Sequence, residues 1–147
     1  MNTNLFYKKI SIRWADIDAN FHLRHSVYYD LAAQQRIEIL NYLGLTMETM
    51  QNQGFGPILF REECIFKKEI RLADHIFINT KLAKMKPDAS RWSIQHEFLT
   101  TENKLCAIIN IDGAWMDTKQ RKLLTSMPTT VTTLFNSFPK THDFIFS

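Results

Sequence analysis

Ser26-Val27-Tyr28-Tyr29-Asp30-Leu31-Ala32-Ala33-Gln34-Gln35-Arg36-Ile37-Glu38-Ile39-Leu40-Asn41-Tyr42-Leu43 is the stretch that decides how this chain folds. Read at about 100° per residue, Asp30, Gln34, Glu38 and Asn41 share one narrow polar stripe, leaving an apolar arc of roughly 240°. Ser26 is placed to cap the N-terminus, and Gly44 to stop the helix. A helix with so little polar surface is surrounded, so a sheet must wrap it. Arg36 lies in the middle of the apolar arc. A buried guanidinium without a partner is expensive, which predicts a carboxylate or several carbonyls beside it.

The flanking segments supply that sheet. Residues 5–14 alternate, with Phe6, Ile10, Ile12 and Trp14 expected on the core side and Tyr7, Lys9, Ser11 and Arg13 on the other. Thr46 is placed to cap a short helix over 47–51, before Gly54 and Gly56 break the chain. Strands are then predicted over 58–69, 76–84, 91–100 and 105–116, with turns at 86–90 and 101–104. Pro128 opens a short helix near the C-terminus. One strand, a long buried helix and about four further strands make an α+β layout with an antiparallel sheet. The exposed sheet face and edges need cover, which predicts a dimer.

The 147 residues, 45% of them apolar, fit one domain spanning 1–147. A net charge of +3, spread in short clusters, gives no footprint for nucleic acid. Cys64 and Cys106 sit in apolar strand-like runs and read as reduced core thiols. The N-terminal segment lacks the apolar run of a signal peptide, and no stretch approaches a membrane span, so a cytoplasmic location is expected. Glycine-rich phosphate loops, the serine nucleophile elbow and zinc spacing are all missing, so no metal and no cofactor is implied.

Chemistry concentrates just before the long helix, in Arg13-Trp14-Ala15-Asp16-Ile17-Asp18-Ala19-Asn20-Phe21-His22-Leu23-Arg24-His25. Unpaired N–H groups and the dipole at a helix N-terminus favour an oxyanion, and a neighbouring carboxylate can attack or activate water. Asp16 reads as structural, paired with Arg13. Asn20 and His22 are placed to position a water or a carbonyl. Tyr28 and Tyr29 divide between ligand and sheet, and one of Glu62 and Glu63 points inward as a second candidate base.

Arg13-Trp14-x-Asp16-x-Asp18-Ala19-x-x-His22, followed by Tyr28 and Arg36, resembles the hotdog-fold acyl-CoA thioesterases of the 4-hydroxybenzoyl-CoA thioesterase type. The resemblance extends to the strand order and to Gly56-Pro57 after the helical segment. It implies a curved antiparallel sheet wrapped around one central helix, in a homodimer or homotetramer. It also implies hydrolysis of an acyl-CoA thioester, with CoA present only as part of the substrate. The family's catalytic aspartate falls on Asp18, as nucleophile or general base, and its oxyanion donor on the backbone N–H of His25. Asn20, His22 and Tyr28 would contact substrate. Arg91, with Lys84 and Lys86, lies where the family approaches the CoA nucleotide.

The sequence departs from the family where its glycine is Phe21, its Asn-Asn pair is Arg24-His25, and helical acidic positions are Ala33 and Gln34. Phe21 cannot adopt a positive φ cheaply, which predicts a reshaped loop. Two alternatives stay open: an acyl-thioester hydratase or dehydratase, which needs a histidine facing an acid, and a non-catalytic acyl-binding module.

Overall fold

The computed structural model describes residues 4–147, so the first three residues of the N-terminal segment lie outside it. An eight-stranded sheet curls around a central helix. The helix, α1, runs His25–Tyr42, and Gly44 behind it takes φ +94, the left-handed value that lets the chain turn away. Two shorter helices are α2 (Met47–Gln53) and α3 (Thr129–Asn136), and the Thr46 side chain caps α2 by accepting from the Thr49 N–H at 3.1 Å.

Strand β1 is Tyr7–Ile10, and β2, after the helices, is Phe55–Phe66. Then come β3 (Ile76–Asn79), β4 (Lys81–Met85), β5 (Arg91–Thr100) and β6 (Leu105–Asp117). β7 (Lys122–Leu123) and β8 (Lys140–Phe146) complete the set. Antiparallel β5 and β6 form the centre. β2 pairs only with β6, and the far edge of β5 is shared by β3 and β4, which carry β1 and β8.

Several expectations are corrected. The predicted strand over 76–84 is two strands, broken at the buried Thr80. Seven strands follow α1 rather than about four, and the added β8 runs parallel to β4. Trp14 is 75% exposed rather than in the core, because β1 ends at Ile10 and residues 14–16 turn as a short 3-10 helix. Ser26 is not the cap: α1 begins at His25, and extended Arg24 precedes it, held by its N–H to the Asp16 carbonyl at 2.7 Å.

α1 lies on the concave face of the sheet. Val27, Tyr28, Ala32, Gln35, Ile39 and Leu40 are buried, and Tyr28 packs against Phe66 of β2 and Phe98 of β5 at 5.0 and 5.1 Å. Asp30, Gln34 and Asn41 face solvent as the polar stripe requires, but Ala33 and Tyr42 are exposed too, so one chain does not fully enclose the helix. Gln35 and Arg36 turn inward and meet fully buried His96 of β5. Arg36 can only donate, so His96 Nε2 accepts from its Nη1 at 3.0 Å and the ring proton sits on Nδ1. Nδ1–H faces the Asn79 carbonyl oxygen at 3.1 Å and Gln35 Oε1 at 3.2 Å. The Gln35 amide donates to the Ile78 and Leu5 carbonyls at 2.8 and 3.1 Å. Burial, reinforced by the Arg36 charge, pushes the His96 pKa down to about 3, so the ring is neutral. The carboxylate expected beside Arg36 is Glu62, at 3.9 Å, and His96 is the nearer partner.

The sheet closes tightly over Trp92. A Cβ on Gly113 would stand 2.7 Å from the Ile58 carbonyl oxygen and closer still to the Trp92 ring. Gly113→Ala is therefore expected to cost about 1–3 kcal/mol of unfolding free energy. Chemical denaturation with an unchanged m-value would measure it, and an unaltered midpoint would contradict this packing.

Candidate active site

Residues 13–25 form a compact loop that ends on the N-terminus of α1. Arg13 and Asp16 open it. The Arg13 guanidinium donates to Asp16 from Nη2 at 2.7 Å and Nε at 3.2 Å, and its backbone N–H donates at 3.0 Å. Asp16 is buried, and the Arg13 hydrogen bonds hold its carboxyl below the usual 3.8. That matches the structural role expected of it.

Asp18 folds the middle of the loop. Its Oδ1 accepts from the N–H groups of Asn20 and His22 at 2.9 and 3.2 Å, and its own N–H donates to the His22 carbonyl at 2.9 Å. Oδ2 takes no part in these bonds. The turn requires a left-handed residue, and Phe21 occupies it at φ +66. Phe21 thus adopts the left-handed conformation that is costly for a side chain. These three bonds, with a fourth from the Phe21 N–H to the Asp18 carbonyl at 3.0 Å, impose the conformation, and Phe21 bears the strain. A bridge between Ile17 and Leu23, and the Leu23 N–H to the Ile70 carbonyl at 2.7 Å, anchor the loop to the segment after β2.

The loop delivers Asp18 to the region of Tyr28. Tyr28 is buried, and its pKa is pushed up to about 12 by burial, with the charges of Cys64, Cys106 and Asp18 adding to the effect. The N–H groups of His25 and Ser26 have no acceptor among the described residues, and the Val27 N–H is the first to find one, the Arg24 carbonyl at 2.9 Å. The loop therefore carries a carboxylate oxygen outside these bonds, and it ends on helix-terminal donors without an acceptor. The His25 side chain is exposed.

His22 turns its Nε2 to Glu69 Oε2 at 2.8 Å, and Glu69 is shared with Arg71 at 2.6 Å. Arg71, and secondarily His22, hold the Glu69 carboxyl low. Glu69 and Arg71 went unnoticed in the sequence because no spacing rule links 22 to 69. Asn20 contributes its backbone N–H to the turn and is otherwise exposed. Of the two glutamates, Glu62 faces α1 beside Arg36, whereas Glu63 joins Arg61 and Asn110 on the outer face.

Arg91 stands apart. Its guanidinium lies 5.0 Å over the Phe60 ring on the outer face, in a hollow shared with Lys84 and Lys86. Phe98, the strand residue against which Tyr28 packs, is seven residues along β5, roughly 23 Å away at about 3.3 Å per residue. Both cysteines are free, Cys106 buried and Cys64 half-buried, with thiol pKa values raised by burial. No group of His, Cys, Asp or Glu among the described residues is arranged to hold a metal. Among the described residues no helix is long and apolar enough to cross a membrane.

A family model described as the thioesterase-like superfamily matches residues 12–135. Among solved structures, a Staphylococcus aureus protein in complex with CoA aligns with TM-score 0.81 at 14% identity, covering 92% of this chain and 87% of its own. A 1,4-dihydroxy-2-naphthoyl-CoA thioesterase from Synechocystis aligns with TM-score 0.79 at 16% identity, covering 90% and 96%. A DHNA-CoA thioesterase from Staphylococcus aureus aligns with TM-score 0.71 at 18% identity, covering 80% and 78%. At these identities the likeness carries the fold alone. No curated protein matches the sequence.

Phe21 supplies the test of the loop. Its ring is 72% exposed, so Phe21→Gly loses little contact and relieves left-handed strain of about 1 kcal/mol. The variant is expected to unfold at higher denaturant concentration than the parent, and a lower midpoint would show that the ring holds the loop.

Proposed function

The chain belongs to the thioesterase-like superfamily and has the hotdog fold, and from that premise we propose that it hydrolyses an acyl-CoA thioester at the Asp18 loop. The observation that carries the reading is one carboxylate oxygen of Asp18 left free in the loop that leads directly into the unpaired N–H groups of α1. The thioester carbonyl oxygen sits on the His25 N–H, where the helix dipole favours the charge that develops. Asp18 Oδ2 attacks the carbonyl carbon, directly or through a water whose proton it takes. The tetrahedral oxyanion collapses and the carbon–sulfur bond breaks; in the water route the thiolate leaves with the proton that Asp18 took, and in the direct route it leaves as the anion and takes its proton from the water that follows. In the direct route water then cleaves the acyl–Asp18 anhydride. Asn20 and His22 hold the loop, and Tyr28 borders the acyl group.

The hydratase alternative needs a histidine opposite an acid, and His22 does meet Glu69. Glu69 is held ionised by Arg71, however, and an ionised carboxylate has no proton to give. Thioester hydrolysis is the better fit.

The same reading includes a second copy. β2 is a 12-residue strand with one unpaired edge, and it exposes Leu59, Phe60, Ile65 and Phe66. Laid antiparallel on itself about Glu62, it sets Arg61 opposite Glu63 of the second copy, with the exposed apolar side chains on either side of that pair. Phe66 packs on Tyr28, whereas Phe60 carries Arg91. The pairing brings Phe60 of the second copy, with Arg91, Lys84 and Lys86 beside it on the outer face, alongside the Cys64–Phe66 end of the first.

Asp18→Asn keeps the Oδ1 acceptor for the loop but removes the base. It should lower thiol release from an acyl-CoA panel by about 10²- to 10⁴-fold with unchanged thermal stability. Near-parental turnover would refute the assignment. Sedimentation should give a dimer for the parent chain and a monomer for the Leu59→Lys, Ile65→Lys double variant. A monomeric parent would refute pairing through β2.

A further inference from the structure

Asp18 takes its direction from His22. Two N–H groups hold Asp18 Oδ1, and the bond from His22, at 3.2 Å, is the longer and weaker of them. The His22 carbonyl in turn accepts from the Asp18 N–H at 2.9 Å. Both peptide groups of His22 are therefore tied to Asp18, and a displacement of His22 turns the carboxylate with it.

What fixes His22 lies far along the chain, in the segment that follows β2. His22 Nε2 meets Glu69 Oε2 at 2.8 Å, and this is its one side-chain partner among the described residues. Glu69 Oε1 accepts from Arg71 Nη2 and Nε at 2.6 and 3.2 Å. These bonds hold the Glu69 carboxyl low, so it is ionised and can only accept. His22 Nε2 must then carry the hydrogen. The backbone beneath Glu69 is anchored independently of its side chain. Ile70 is fully buried, its carbonyl takes the Leu23 N–H at 2.7 Å, and the Asp74 side chain closes the next turn on the Arg71 N–H at 2.8 Å.

Glu69 and Arg71 are exposed, and exposed ion pairs contribute little to folding. Their effect on orientation is another matter, because a reacting group displaced by about 1 Å can lose about a hundredfold in rate.

We propose that Glu69 is a positioning residue for Asp18: held by Arg71, it fixes the His22 ring and, through His22, the direction of the free Oδ2. This rests on the thioesterase reading and adds to it the residue that aims its carboxylate.

The test compares Glu69→Ala and Glu69→Gln with the parent full-length protein, by free-thiol release from the acyl-CoA that the parent cleaves fastest. Glu69→Ala should lower kcat by about tenfold or more, with KM and the unfolding midpoint near the parental values. Glu69→Gln keeps an oxygen that accepts from Nε2–H and should recover most of that loss. In a His22→Ala background, Glu69→Ala should change nothing further, because its route to Asp18 is gone. A parental kcat in Glu69→Ala, a loss carried by KM alone, a glutamine variant as slow as the alanine one, or losses that multiply in the double variant would each overturn the proposal while leaving hydrolysis intact. Amide hydrogen exchange separates the two claims, since Glu69→Ala should speed exchange of the Asn20 and His22 N–H groups several-fold. That acceleration, with no thioester cleaved by the parent, would uphold the positioning of Asp18 and reject hydrolysis. Unchanged exchange would overturn the positioning.

Discussion

The structure depends on seating a helix that carries polar side chains on its buried face. α1 is held on the concave side of the sheet by Tyr28, Ala32, Ile39 and Leu40, but Gln35 and Arg36 enter with them. Each polar group taken from water needs a partner or costs about 1–3 kcal/mol. His96 answers both, accepting from Arg36 and facing Gln35, while Gln35 ties α1 to the carbonyls of Leu5 and Ile78. The buried ring is neutral, so it joins two polar side chains without adding a third charge. This cluster fixes the rotation of α1 against β5, and rotation decides where its N-terminus points.

The loop before α1 inherits that direction. Arg13 and Asp16 close its start, Asp18 folds its middle through N–H groups of Asn20 and His22, and Leu23 ties it to Ile70. The result is a rigid presentation, with left-handed backbone accepted at Phe21 because the bonds around it leave no alternative. Asp18 thus has a local structural use and a free oxygen at once, which are two aspects of the same geometry.

Loop geometry and sheet edge also belong together. β2 offers apolar side chains and a free backbone edge along its whole length. Its last residue, Phe66, packs on Tyr28, and Phe60 at its middle carries Arg91.

The sequence by itself determined the helix and the wrapping. An apolar arc that wide has no stable seat on an open surface, and alternating segments were there to cover it. It also singled out Asp18, the N-terminus of α1, the Arg13–Asp16 pair and a polar partner for Arg36, because each follows from local spacing or from the cost of a buried charge. Tertiary structure alone decided the rest. His96 reads in the sequence as one more inward position of an alternating strand, and only the docking of α1 puts it against Arg36 and Gln35. Glu69 meets His22, and Trp92 stacks on Phe135, through contacts between residues far apart in the chain. β8 has few buried side chains and escaped notice, because an edge strand takes its place from the hydrogen bonds of β4 rather than from its own pattern. Periodicity records what a segment must bury. Which partner it finds is settled by the three-dimensional pairing of segments, on which local spacing carries no information.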